Sequence, residues 1–307
     1  MKKLIPYVIM GAGAMALAGC GASVVDVVGT GAVNGTNGLP FASGDVTGGG
    51  TLSTAVTGRT ASTSSVSFAA GSGTGNFQES TFAVQGLTPD SIRITYNGAT
   101  SDLARLGTGE SYRVTTGTVD EYLTRVMRPG TAVSAYTYAR FDLTNLQDSR
   151  IIRFVIGNDT NPANLSGTAS YAVQLEGTGT QLANGRVRSL NIDGDGTINA
   201  NFATNAVNGT LTVRTRTSGV DNDTATQSAR NDGFSLTGTR SGAGFTANAT
   251  RTDCLFAEAC VSKSTLSGNF YGQTGGEIAG IGVIDETATS ATGLVETKGN
   301  FAFIGAQ

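Results

Sequence analysis

The sequence predicts an all-β fold, a small N-terminal β region followed by a larger antiparallel β unit, and three observations predict it. First, glycine accounts for 44 of 307 residues, charged side chains for only 14%, and threonine, serine and asparagine are abundant. That composition suits short strands and tight turns and suits helices poorly. Second, many short segments alternate apolar and polar side chains with period two, the pattern of a strand with one buried face. Third, Asn184-Gly185, Asn208-Gly209, Asp232-Gly233 and Lys298-Gly299 punctuate the second half, and such dipeptides favour hairpin turns.

The N-terminus reads as a secretory leader. Met1-Lys2-Lys3 is basic, Leu4 to Ala16 is apolar, and Leu17-Ala18-Gly19-Cys20 supplies small residues before a cysteine. The apolar run falls short of the about 20 residues needed to span a bilayer. The pattern resembles the bacterial lipobox, which implies cleavage after Gly19 and a diacylglycerol on the Cys20 thiol; the alternative is a leader ending beside a chance cysteine. Acyl chains contribute about 0.8 kcal/mol per buried CH₂, so a multiply acylated terminus holds firmly to a membrane. Gly21, rather than aspartate, after the cysteine favours the outer membrane. Residues 20–50, rich in Gly, Ala, Asn and Thr, read as a lipidated flexible tether.

Residues 51–156 form the first β region. Strand candidates are Ser65–Ala69, Ser80–Gln85, Ser91–Tyr96, Ser111–Thr115, Ala132–Leu143 and Arg150–Ile156. Thr118–Met127 is compatible with one or two helical turns ended by Pro129-Gly130. In Val133–Leu143, Val133, Ala135, Thr137, Ala139, Phe141 and Leu143 fall on one side, and Tyr136, Tyr138 and Arg140 on the other. This predicts a half-buried strand. Residues 157–307 are more regular, with segments at Thr168–Leu175, Arg186–Ile192, Thr197–Phe202, Thr210–Thr217, Gly233–Gly238, Gly244–Thr250, Thr265–Tyr271, Glu277–Ile284 and Gly293–Phe303. Eight or nine antiparallel strands at this spacing predict a sandwich or a closed barrel, and closure removes unpaired edges. The strand glycines suit sharp bends in a small barrel.

Several chemistries are excluded or disfavoured. The full chain carries a net charge of −3, more negative once Lys2 and Lys3 leave with the leader, which opposes nucleic-acid binding. With no histidine, no Ser-His-Asp or Cys-His arrangement and no imidazole metal or haem site can form. Asp120-Glu121 and Asp285-Glu286 are adjacent on strands and so face opposite ways, which makes them poor catalytic pairs. Asn191-Ile192-Asp193-Gly194-Asp195-Gly196 resembles half a calcium loop, but the position of its terminal glutamate holds Phe202, and a hairpin turn is the better reading. No catalytic residue, metal or cofactor is expected. Cys254 and Cys260 are predicted to form a disulfide in an oxidising compartment, the alternative being a metal pair without further ligands. Arg125, Arg128, Tyr136, Tyr138 and Arg140 have the composition of a recognition face; a solvated sheet face is the alternative.

One stretch has a family likeness. Gly268-Asn269-Phe270-Tyr271-Gly272, followed by Glu277 and Gly280, resembles the signature of the transferrin-binding protein B β-barrel domain. Asn161–Tyr171 resembles that family's entry into its first barrel strand, Ile198–Phe202 with Val207–Leu211 a barrel hairpin, and Phe301–Ala306 the closing strand. Gln273, Gly275-Gly276 and Ala279 depart from the usual residues. The resemblance covers about residues 157–307. It implies an eight-stranded antiparallel barrel preceded by a handle-like β region at 51–156, in a single-lobe surface lipoprotein of the outer membrane. It further implies non-catalytic binding of a host protein, haem or a small solute, with a TonB-dependent outer-membrane receptor as a further partner. A structural or adhesive surface role is the alternative. Phe270 and Gly272 are assigned to core and turn, Glu277 to accepting backbone N–H bonds in that turn. The loops at 254–260 and 218–232 are the favoured contact sites, because long loops on rigid barrels commonly carry function.

Overall fold

The computed structural model describes residues 65–67, 76–78 and 82–307, except for 89, 97, 108–110, 128–131, 145–149, 158, 184–185, 219–229, 254–258 and 291–292. Cys20, Arg128 and Cys254 lie outside the described residues, as do the leader and the tether. Eighteen strands and one short 3-10 turn, Pro162–Asn164, make up the regular structure among the described residues.

The N-terminal sheet holds β1 (Ser65–Ser67), β2 (Asn76–Gln78), β3 (Phe82–Thr88), β4 (Ser91–Tyr96), β5 (Ala99–Arg105), β6 (Ser111–Thr116), β7 (Val119–Met127), β8 (Val133–Asp142) and β9 (Arg150–Gly157). Its order is β2-β1-β9-β8-β7-β6-β5-β4-β3. One face forms a core of Val84, Ile92, Ile94, Leu103, Tyr112, Leu123, Tyr136, Tyr138, Ile152 and Phe154. Thr118–Met127 is therefore mostly strand: Val119 begins β7, which pairs with both β6 and β8 along its length. Leu123 of this segment lies in the core, and that tertiary burial overrides the local helical option.

The second sheet contains β10 (Thr168–Ala183), β11 (Arg186–Asn201), β12 (Ala206–Ser218), β13 (Arg230–Ser241), β14 (Gly244–Arg251), β15 (Ala259–Ser262), β16 (Ser264–Tyr271), β17 (Glu277–Ser290) and β18 (Gly293–Ala306). All but β15 form a ring, β10-β11-β12-β13-β14-β16-β17-β18, which closes where β18 pairs with β10 from Ala172↔Ala306 to Ala183↔Val295. The fold is thus an eight-stranded closed antiparallel barrel with a second β-sheet beside it. The nine predicted segments become eight barrel strands because Arg186–Ile192 and Thr197–Phe202 are one 16-residue strand.

Several turn expectations are corrected by this register. Asn191–Gly196, Asn208-Gly209, Asp232-Gly233 and Lys298-Gly299 lie inside strands, not in turns. Asp193 and Asp195 are held on the outer wall by Arg214, at 2.6 and 2.7 Å. Other glycines of the ring make room for interior side chains. A methyl at Gly282 would sit 2.0 Å from the Phe301 ring, and one at Gly280 or Gly268 under 3.0 Å from the Phe303 ring. A small barrel accepts whole phenyl rings only where the opposite strand carries no side chain, as close packing demands.

The two sheets share an interface. The barrel's outer wall offers Tyr271, Ala279, Ala302 and Ile304, which pack on Val133, Ala135 and Val155 of β8 and β9. Ile281 of β17 reaches further and joins the N-terminal core. Buried Arg153 donates to Thr137 Oγ1 at 2.6 Å and to Thr178 Oγ1 of the barrel at 3.4 Å. Both carboxylate oxygens of Glu277 accept from the Ala132 amide, at 3.1 and 3.2 Å. Glu277 thus accepts a backbone N–H bond, but from the N-terminal sheet and not from its own turn.

Candidate functional site

The ends of the barrel differ. At one end the chain returns through residues 202–205, 242–243 and 272–276. Phe270 is fully buried there, with ring centroids of Tyr171, Phe202 and Phe245 at 5.7, 5.1 and 5.5 Å. Leu165, just past the 3-10 turn, packs into the same cluster. Backbone bonds close the gap: Tyr171 Oη donates to Gly275 O at 2.6 Å, Thr160 Oγ1 to Gly272 O at 2.7 Å and Asn164 Nδ2 to Gln273 O at 3.0 Å. Gly272 and Gly275 sit at φ +84° and +73°, a conformation that favours glycine. This end is sealed.

At the other end, β12 leads to β13 through 219–229 and β14 leads to β15 through 252–258. Here the interior turns polar. Arg230, Asp232, Arg251 and Glu286 point inward, and the Arg251 side chain is only 3% exposed. Arg230 Nε donates to Asp232 Oδ1 at 2.5 Å; Arg251 Nη1 donates to Glu286 Oε2 at 2.9 Å and Arg251 Nη2 to Asp232 Oδ1. Arg251 Nε donates to the Asp253 carbonyl at 2.6 Å, and Asp253 Oδ1 accepts from the Gly233 amide at 2.9 Å. Burial raises Asp232 from its ordinary 3.8 to about 6, against the attraction of Arg230. Burial likewise raises Glu286 from 4.5 to about 7, with Asp253 and Asp285 adding repulsion. Composition gave no sign of this cluster. The signal available in sequence was inward parity: Arg230, Asp232, Arg251 and Glu286 continue the apolar faces of their strands.

The Tyr–Arg face is corrected. Tyr136 and Tyr138 are fully buried. Tyr136 stacks on Phe154 at 5.4 Å and 16°, and Tyr138 donates to buried Glu121. Val133–Ala139 is buried on both faces because the barrel covers one side and the curled sheet covers the other. Arg125 and Arg140 are half-buried. An accessible Arg–Tyr pair lies elsewhere in the sheet: Arg113 stacks over Tyr122 at 4.6 Å, and Tyr122 meets the edge of Phe141. A groove between the sheets is lined by Val155 and by Thr239, Thr246, Ser267, Asn269 and Ile281 of the barrel. Among the described residues its lining holds no charged side chain that would pair with haem propionates. Asn269 donates to Asp159 at 2.9 Å beside it. Cys260 sits in β15, which pairs with β17.

Residues 159–302 match the family model described as the C-lobe and N-lobe β-barrels of Tf-binding protein B. Among solved structures, the chain is similar to a double mutant of transferrin-binding protein B from Haemophilus parasuis, at 14% identity and a TM-score of 0.44, covering 80% of this chain and 44% of that one. It is also similar to isotype 1 transferrin-binding protein B from serogroup B Neisseria meningitidis, at 13% identity and a TM-score of 0.36, covering 74% of this chain and 51% of that one. A surface lipoprotein aligns at 13% identity and a TM-score of 0.32, covering 74% of this chain and 96% of its own. The chain thus spans about half the length or less of the two transferrin-binding proteins. No curated protein matches it significantly. The matched residues take in most of the closed ring, and the C-terminal half of the chain holds a β-barrel similar to those of transferrin-binding protein B.

Proposed function

We propose that the protein is a lipid-anchored surface lipoprotein of the outer membrane that binds a macromolecular ligand, without catalysis, at the loop-bearing end of its barrel. The observation that carries this reading is the asymmetry of the barrel: one end is sealed by aromatic packing, the other holds buried inward-facing charge at the strand ends that lead into its two longest connections. In this reading Cys20 carries the lipid, residues 20–50 are the tether, and residues 51–156 and 157–307 are the two folded units. A disulfide between Cys254 and Cys260 constrains one of the connections. The outer wall of β11–β13 carries exposed Asn208, Thr210, Thr212 and Thr237, the reverse of the apolar band of a membrane-spanning barrel; attachment through the lipid fits that wall.

A host protein is the first ligand class to test, with transferrin as the first probe because the similar structures bear its name. The mature chain is immobilised and offered transferrin, serum and haem, beside a variant in which residues 219–229 are replaced by a short Gly-Ser linker. Saturable binding of one protein, lost in the variant with its circular dichroism unchanged, is expected. Binding that survives the replacement, or haem binding with a shifted Soret band, would move the site to the groove between the sheets. Palmitate labelling abolished by Cys20→Ala checks the anchor.

A further inference from the structure

Glu286 presents one carboxylate oxygen, Oε2, to Arg251, while its other, Oε1, is buried and makes no hydrogen bond. A carboxylate in that position leaves half its charge without a donor, and an unsatisfied buried acceptor is costly. A carboxylic acid with its proton on Oε1 is a smaller burden. We propose that the loop-bearing end of the barrel is a proton-held clasp, in which Glu286 carries a proton while the strand ends are closed and gives it up when they part.

The clasp is placed where it bears on the two connections. Arg230 and Asp232 open β13, immediately after residues 219–229; Arg251 ends β14, immediately before 252–258. The pairing of these ends rests on few bonds. The Thr252 amide donates to Gly233 O at 2.8 Å, the Gly233 amide to Asp253 Oδ1 at 2.9 Å, and Arg251 Nε to Asp253 O. Each is tied to the charge network, because Arg251 holds Asp232, Glu286 and the Asp253 carbonyl together.

The charged groups around Glu286 are Arg230 and Asp232 on β13, Arg251 and Asp253 at the end of β14, and Asp285 on its own strand. Asp285 faces outward and meets Lys298 of β18 at 3.8 Å. Thr215 of β12, Ser264 of β16 and Thr297 of β18 are buried neutral groups near the same level. When the strand ends part, Glu286 and Asp232 reach water and regain ordinary acidity. The closed form therefore binds the proton more tightly than the open one, and by linkage acidification favours closure while rising pH favours opening. Burial holds the pKa of both carboxylates above its ordinary value, which agrees with that direction.

This regulation rests on the proposed loop-end binding only for its biological consequence; the clasp is tested without a ligand. In the mature full-length protein, carboxyl-carbon NMR should show Glu286 titrating near neutrality. Hydrogen exchange at Gly233 and Thr252, corrected for intrinsic rate, should show opening that increases up to tenfold per pH unit from about pH 5 to pH 7. Amides at Tyr171 and Phe270, at the sealed end, serve as the reference and should stay level. Glu286→Gln, which is neutral at every pH, should remove the slope between about pH 6 and pH 7, leaving below that only the part Asp232 contributes. A Glu286 carboxyl that titrates below pH 5 in the wild type, or Gly233 and Thr252 opening that ignores pH, overturns the proposal even if Glu286→Gln does not fold. Loss of ligand binding by the loop replacement, with the clasp intact, would leave this inference standing; absence of any ligand would sink the functional reading alone.

Discussion

The sealed end and the loop-bearing end of one barrel are built from the same strands, yet they use opposite chemistry. At the first, Phe270, Phe202, Phe245 and Tyr171 meet ring to ring and Leu165 fills the mouth. At the second, two arginines and two carboxylates occupy the inward positions. Apolar burial contributes to stability in proportion to area. A buried ion network must first overcome desolvation, and replacing it by apolar residues is often neutral or stabilising. The comparison teaches that the sealed end stabilises the barrel, whereas the loop-bearing end is tolerated by it.

The largest effects should come from removing one member at either end. Phe270→Ala empties the aromatic cluster and should cost about 3–5 kcal/mol in a urea melt. Arg251→Ala strands Glu286 in the interior and leaves Asp232 with Arg230 alone, and should cost about the same. The ends separate under a second change. Replacing Arg230, Asp232, Arg251 and Glu286 together by Met, Leu, Met and Leu should be neutral or stabilise by about 1–4 kcal/mol. A large loss in that fourfold variant would show that the charges are structural and would break the comparison.

A pH series sharpens it. Asp232 and Glu286 are raised on folding from 3.8 and 4.5 to about 6 and about 7. Stability contributed by an acid raised on folding is fullest below its ordinary value and is lost as pH climbs through the folded value. The protein should therefore weaken between about pH 4 and pH 7, by at most ~1.4 kcal/mol per pH unit for each proton released. Melts at pH 4.5 to 8 check this; Phe270→Ala should keep the slope, and Glu286→Gln should remove it between about pH 6 and pH 7 and leave below that only the part Asp232 contributes. The smallest effect is expected on the outer wall. Arg214 pairs with Asp193 and Asp195, but all three are more than a third exposed, so Arg214→Ala should change stability by less than ~1 kcal/mol.

Much of the fold was legible because period two is a local signal. Gly244–Thr250 begins and ends close to β14, Thr168–Leu175 begins with β10 but covers only half of it, and Phe270 reads as core from its place in the alternation. The misreadings share one cause. Asn208-Gly209, Asp232-Gly233 and Lys298-Gly299 look like turns, but each lies within a strand, with Gly209 against the Thr197 carbonyl, Gly233 beside Thr252 and Gly299 against Ile192. Strand length decides between those readings, and strand length is set by closure of the ring, which no short segment contains. The burial of Tyr136 and Tyr138 was hidden for a related reason: a strand covered on both sides looks half-buried when its second cover lies over a hundred residues away. The charge cluster escaped because its members are scattered over three strands and meet only after the ring forms.

Ile281 lies in the core of the N-terminal sheet although it belongs to β17, and β18 must pair with both β10 and β17. A chain delivered N-terminus first across a membrane therefore emerges with neither unit able to finish. The early sheet waits for an isoleucine more than a hundred residues downstream, and the ring keeps two raw strand edges until its final segment arrives. Any N-terminus-first delivery leaves a long interval in which those edges can join the wrong partner, and a chain cut short by a dozen residues would prolong it indefinitely.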